Sequence, residues 1–222
     1  MIHKKVAIEK IGPYSFIQGS GQKVTNDPLL LVDFVLPLND NDRVIDLGTG
    51  AGIIPFLLAS KSPVKQITGV EIDREACSFF ERNIAENGLE HRVEAVFADY
   101  RGLKSIYTEG SFSLVVANPP YIKAGAGRVS PEKQRAVARS EVKGTLKELI
   151  DISKYLVGKK GRIAFVFPVA RLFEMLGEAR VAGLKVRRLR FVHTHHMKPA
   201  KLFLIEAGQD GELVIEEPVN LI

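Results

Sequence analysis

Only one cysteine, Cys77, occurs among 222 residues. No intrachain disulfide can form, so a reducing cytoplasm is the natural setting. Long hydrophobic runs are missing as well. The longest apolar stretches, LLLVDFVLPL and IIPFLLA, fall well short of the ~20 residues a membrane helix needs. The opening MIHKKVAIEK has no signal-peptide core. Internal repeats and low-complexity segments are absent too, which sets aside solenoids and disordered linkers.

What is present is an ordinary globular composition, 45% hydrophobic and 26% charged, enough for one sizeable core and a single domain over residues 1–222. The formal net charge of +5 is compatible with a polyanionic partner but does not require one. Apolar runs at 43–47, 65–72, 91–99, 112–118 and 161–168 alternate with helical patterns at 73–88, 141–156 and 169–180. Two further β-rich runs follow, at 184–192 and 200–207. Such alternation predicts βαβ units, hence an α/β fold with a mainly parallel sheet and helices on both faces.

A sheet of that kind binds its ligand at the carboxyl ends of the strands. The polar residues found there are Asp46, Glu71, Asp99 and Asn118. Asp46 opens DLGTGAGI, where Gly48, Gly50 and Gly52 are spaced G-x-G-x-G and Ile53 stands one place beyond. A dinucleotide fingerprint wants G-x-G-x-x-G over a pyrophosphate; an acid at this turn repels phosphate and suits a cationic ligand instead. Glu71 is suited to the two hydroxyls of a ribose, and Asp99 to an adenine amine. Asp73, just after Glu71, reads as the N-cap of the next helix. The fourth strand stops at Asn118-Pro119-Pro120-Tyr121. There two prolines remove two donors and stiffen a corner whose free carbonyls can only accept.

Together, D-L-G-T-G-A-G, G-V-E-I, A-D and N-P-P-Y over residues 43–121 resemble the class I S-adenosylmethionine-dependent methyltransferases that methylate amines. The resemblance implies a Rossmann-like, seven-stranded sheet and an adenosine donor with a sulfonium and no phosphate. It also implies that Asn118 and the Pro119 carbonyl hold the target amine, that Pro120 stiffens the corner, and that Tyr121 stacks on the base. Within that group the chain is most similar to the bacterial tRNA(Val) adenine-N6 methyltransferases. QKVTNDPLLLVDF (22–34), ARSE (138–141) and KPAKLFLIEA (198–207) carry the likeness over roughly 22–207. The donor set that follows is Asp27, Asp46, Gly48, Gly50, Gly52, Glu71, Asp99 and Asn118. Asp27 is expected to cap a helix with Pro28 at its first position.

Other members of the group methylate ribosomal bases or the glutamine of release factors. The latter carry a helical N-terminal domain, whereas here residues 1–26 form only a short extension. The segment 121–140 is long for a connection, and within it lie Lys123, Arg128, Lys133, Arg135 and Arg139, candidates for phosphate contact in a substrate loop. LKVRRLRFVHTHHMKPAKL adds a second basic cluster with His193, His195 and His196. Methyl transfer from a sulfonium needs no metal, and no metal site is expected. A nicotinamide-dependent oxidoreductase and an idle RNA-binding module are the competing readings. Against them stand the missing fingerprint glycine and the intact Asp46, Glu71 and Asn118. No obligatory protein partner is expected.

Overall fold

The computed structural model describes residues 7–19, 25–119 and 145–221. The chain begins with a hairpin of β1 (Ala7–Ile11) and β2 (Tyr14–Gln18). Then come α1 (Asp27–Val35), β3 (Arg43–Leu47), α2 (Ile53–Lys61), β4 (Gln66–Glu71), α3 (Arg74–Glu86) and β5 (Val93–Phe97). After a 3-10 turn at Tyr100–Ser105 follow β6 (Leu114–Ala117), α4 (Leu146–Val157), β7 (Arg162–Pro168) and α5 (Leu172–Val181). β8 (Lys185–His193), β9 (Ala200–Gly208) and two short strands, β10 (Val214–Ile215) and β11 (Val219–Asn220), close it.

The main sheet runs β10-β8-β9-β7-β6-β3-β4-β5. β3 to β7 are mutually parallel, while β9 is antiparallel to both β7 and β8. The expected seven strands are all there, and β10 and β11 add two short parallel pieces to the outer edge of β8. Alternate residues of each central strand face opposite layers. Val44, Ile67, Leu114 and Val166 pack with α1, α2 and α3, whereas Ile45, Val70, Val115 and Phe165 pack with α4 and α5. Burial on both faces explains why these strands read as continuous apolar runs.

Helix α1 starts one residue earlier than the sequence suggests. Asn26 has helical φ and ψ of −74° and −15°, and its carbonyl accepts the Leu30 N–H at 2.9 Å, so Asn26 takes the cap position and Asp27 lies inside the first turn. Asp73 does cap α3, its carboxylate accepting from the Ala76 N–H at 3.1 Å.

The hairpin is absent from the sequence reading, although Gly12-Pro13 between two short alternating stretches signals it: Gly12 sits at φ 57°, suited to the first place of a two-residue turn. It is fastened by two asparagines one helical turn apart, Asn83 in α3 and Asn87 at its C-cap. Asn83 accepts from the Ile17 N–H at 2.8 Å and donates to the Ile17 carbonyl at 2.9 Å. Asn87 does the same to Ser15, at 2.9 and 2.8 Å. The two amides thus replace a neighbouring strand for β2. Asn83 also donates to the Ala51 carbonyl at 3.1 Å, linking the hairpin to the glycine turn. Since Asn83 is fully buried, Asn83→Ala leaves one amide and two carbonyls unpaired. It should cost about 2–4 kcal/mol in denaturant unfolding, with the Ile17 amide losing hydrogen-exchange protection ahead of the central strands.

Candidate active site

The carboxyl ends of β3, β4, β5 and β6 meet in the middle of the sheet. Asp46 lies opposite Gly69 of β4 on one side and Val116 of β6 on the other. It is 1% exposed, and neither carboxylate oxygen has a hydrogen-bond partner among the described residues. Thr49, 5% exposed, is likewise unpartnered at its hydroxyl. Burial pushes the Asp46 carboxyl up to about 7; the nearby Thr49 hydroxyl pulls the other way without closing a hydrogen bond, and Glu71 adds to the rise.

The turn after Asp46 uses its glycines in two ways. Gly48 and Gly50 have φ of 78° and 61°, and a Cβ at either would meet nothing within 4 Å. Their backbone therefore borders open space. Gly52, at φ 92°, and Gly69 are instead filled by Phe80, whose ring a Cβ would reach at 2.0 and 2.4 Å. The Phe80 ring of α3 wedges the turn against β4.

Glu71, 1% exposed, accepts from the Gly50 N–H at 2.8 Å through one oxygen and from Ile72 and Asp73 at 3.0 and 2.9 Å through the other. It ties the glycine turn to the end of β4. Asp99 caps the 3-10 turn through the Arg101 N–H at 2.9 Å, and the Arg101 guanidinium beside it holds its carboxyl below the usual range. Asp27, half-buried, has its carboxyl raised by burial, with Lys201 opposing. Asn118 and Pro119 follow β6 directly, both half-buried. Pro120, Tyr121, Lys123, Arg128, Lys133, Arg135 and Arg139 lie outside the described residues.

These groups select a ligand chemistry. Two orphaned carboxylate oxygens and a hydroxyl, beside bare glycine backbone, suit a ligand rich in N–H and O–H donors and carrying positive charge. They repel a pyrophosphate. S-adenosylmethionine fits: its ammonium, sulfonium and ribose hydroxyls are what buried acids recognise.

The model of the methyltransferase small domain family matches residues 20–157. The tRNA1(Val) (adenine(37)-N6)-methyltransferase of Erwinia tasmaniensis is 32% identical over 197 residues, covering 87% of this chain and 78% of the relative. The chain belongs to the methyltransferase small domain family. A relative of the same name from a Flavobacteriaceae bacterium is 26% identical, with 85% of this chain and 78% of that one covered. Among solved structures, a predicted O-methyltransferase of Agrobacterium tumefaciens superposes with a TM-score of 0.64 at 20% identity, over 87% of this chain and 86% of that one. TYW2 of M. jannaschii, solved with AdoMet, gives 0.62 at 17%, over 93% and 87%. At these identities the likeness shows the class I methyltransferase fold alone.

As a methyltransferase of this family, the chain uses S-adenosylmethionine, and the nicotinamide reading falls away. The sequence reading passed over Thr49, whose buried hydroxyl is unpartnered among the described residues, and Asn83, which holds the Ala51 carbonyl of the glycine turn. The signal for Asn83 was there, in two asparagines four apart in NIAEN. The second basic cluster requires correction. Arg188 pairs with Glu206 and Glu216, Arg190 with Glu216, and Arg187 with Asp210, so these β8 arginines are engaged by acids of the same chain. A cleft of about 290 Å³ lined by Arg43, Lys65, Thr68, Glu94, Tyr107 and Phe112 opens at the opposite, amino ends of the strands and plays no part in the site.

The Asp46 carboxyl gives a signed pH dependence. An unfolded chain releases this proton near 3.8 and the folded one near 7, so stability falls as pH rises through that window. Asp46→Asn should therefore raise the donor-free Tm at pH 8 by about 2–6 °C and leave it nearly unchanged at pH 4. The same variant should weaken S-adenosylmethionine binding by ~1–3 kcal/mol in titration calorimetry.

Proposed function

We propose that this methyltransferase transfers the methyl group of S-adenosylmethionine to the exocyclic N6 amine of an adenine in tRNA, beside the anticodon, in the cytoplasm. The observation that carries the reading is the position of Asn118-Pro119. They leave β6 immediately beside the strand of Asp46, so an amine acceptor pair stands next to a pocket suited to a cationic adenosine. The relatives' names supply the substrate class.

In this reading Asp46, Thr49, Glu71 and the backbone of Gly48 and Gly50 hold the donor, with Asp27 and Asp99 at its periphery. When bound, the donor supplies an electrophilic methyl carbon on a sulfonium. The adenine amine is a weak nucleophile, because its lone pair is delocalised into the ring. The Asn118 side-chain oxygen and the Pro119 carbonyl each accept one N–H, which holds the amine and turns its lone pair toward the methyl carbon. As the N–C bond forms, the methyl–sulfur bond of the donor would break with its electron pair returning to sulfur as a neutral thioether; the positive charge passes to the nitrogen, and both acceptors interact more strongly with its protons. One proton then leaves to water. The contribution is positioning plus electrostatics that strengthen in the transition state. Tyr121 stacks on the extruded base, a contact of ~1–3 kcal/mol. The cations of the 121–140 segment, Arg139 among them, meet phosphates.

The decisive measurement is nucleoside mass spectrometry of tRNA incubated with enzyme and donor, where N6-methyladenosine is the expected product. Asn118→Ala should cut kcat by ~10²-fold or more with donor affinity within about threefold. A matching loss of donor affinity would move Asn118 into the donor pocket.

A further inference from the structure

Three of the most exposed apolar side chains among the described residues are Phe173, 89% exposed, and Val181 and Met197, each 79%. Two of them stand on the catalytic rim. Phe173 lies in the first turn of α5, just past the end of β7, and β7 runs parallel to β6 with Phe165 opposite Ala117. The first turn of α5 therefore stands next to the Asn118-Pro119 corner. Met197 lies in the connection between β8 and β9. His193 opposite Ala200, and Pro168 opposite Leu202, bring that connection beside the end of β7.

The surroundings of Met197 are suited to flat, negatively charged chain. The His195 and His196 rings lie 4.3 Å apart with planes inclined by 30°, and the Met197 N–H donates to His195 Nδ1 at 3.2 Å, shaping the loop tip. Lys198 is exposed and forms no ion pair among the described residues. The β8 arginines behind this tip are already engaged by Glu206, Glu216 and Asp210. Among the described residues on this part of the sheet, then, aromatic and sulfur surface with the exposed Lys198 faces the rim, while the β8 arginines are engaged by acids of the fold.

We propose that Phe173, Met197 and the His195–His196 pair form a stacking shelf for the unpaired RNA nucleotides that flank the target base, with Lys198 meeting a phosphate. The proposal rests on the reading of an RNA substrate. Withdrawing one base from a loop exposes the faces of its neighbours, and exposed bases are commonly held on aromatic side chains with cations along the backbone. An apolar protein partner would need no cation and no paired histidine rings.

The test is steady-state methylation of an intact tRNA transcript by the full chain. Phe173→Ala should raise KM for tRNA by roughly 5- to 50-fold, as expected for one lost stacking contact, with kcat and donor Kd unchanged. Phe173→Tyr should restore KM and Phe173→Leu should not, which separates stacking from apolar contact. Lys198→Ala should make the log–log salt slope of tRNA binding shallower by ~0.7–0.9. Phe173 is on the surface, so its variants should melt like the parent. Wild-type KM in Phe173→Ala, or equal rescue by Leu and Tyr, overturns the shelf while leaving the tRNA activity standing. A parent enzyme that methylates no tRNA overturns the RNA reading, and the shelf with it.

Discussion

Two carboxylates buried side by side at the ends of adjacent strands set the terms for the rest of the molecule. Glu71 is satisfied by three backbone amides, and in accepting them it fixes the glycine turn to β4. Asp46 has none among the described residues, and its charged form is correspondingly unfavourable. A group of that kind persists only where the surrounding packing is strong enough to hold it. Here the packing is the Phe80 wedge between Gly52 and Gly69 and the central parallel strands, buried on both faces. The protein keeps a destabilising acid at a place suited to a cationic ligand. In the proposed reading, stability given up at Asp46 becomes selectivity for a donor that phosphate-bearing nucleotides cannot imitate.

Most of this was legible in the sequence, for a physical reason. Parallel strands covered on both faces must be apolar throughout, so RVIDL, QITGVE and RIAFVFP announce themselves, and a ligand in such a sheet has to sit at the strand ends. What stayed hidden depends on partners distant in sequence. Asn83 looks like a neutral helix residue until Ile17 and Ala51 are brought to it. The β8 arginines read as a basic patch because Glu206, Glu216 and Asp210 reach them only across strands and through the tail. Asp99 reads as a ligand contact, and the fold adds what the sequence does not show, that its carboxylate is also held by its own turn and by Arg101. The strands β10 and β11, two residues each, are too short to carry any periodicity.

The Asn83–Asn87 pair also shows how a local rule can be set aside by tertiary structure. Asparagine is a poor residue for a helix interior, because its amide competes for backbone groups. On α3 that tendency is put to use against the backbone of another element. The amides recognise alternate residues of β2, whose spacing along a strand matches one turn of helix closely enough for both to bond. Residues ahead of the catalytic core are thereby joined to the carbonyl of Ala51, inside the glycine turn.

The tail strands bear on how the molecule behaves in a crowded solution. A sheet of this width has two borders where backbone donors and acceptors would face water and invite another chain to add on. On one border β10 and β11 occupy the outer side of β8 in two separate pieces, leaving no uninterrupted length for a foreign strand. On the other, β5 spans only five residues, and Arg74 lies over its terminal Phe97, 4.9 Å from the ring centre. Both borders are short and carry charge, so growth of the sheet from one molecule into the next is discouraged at either end. The rim of strand termini is where the proposed reading places the RNA.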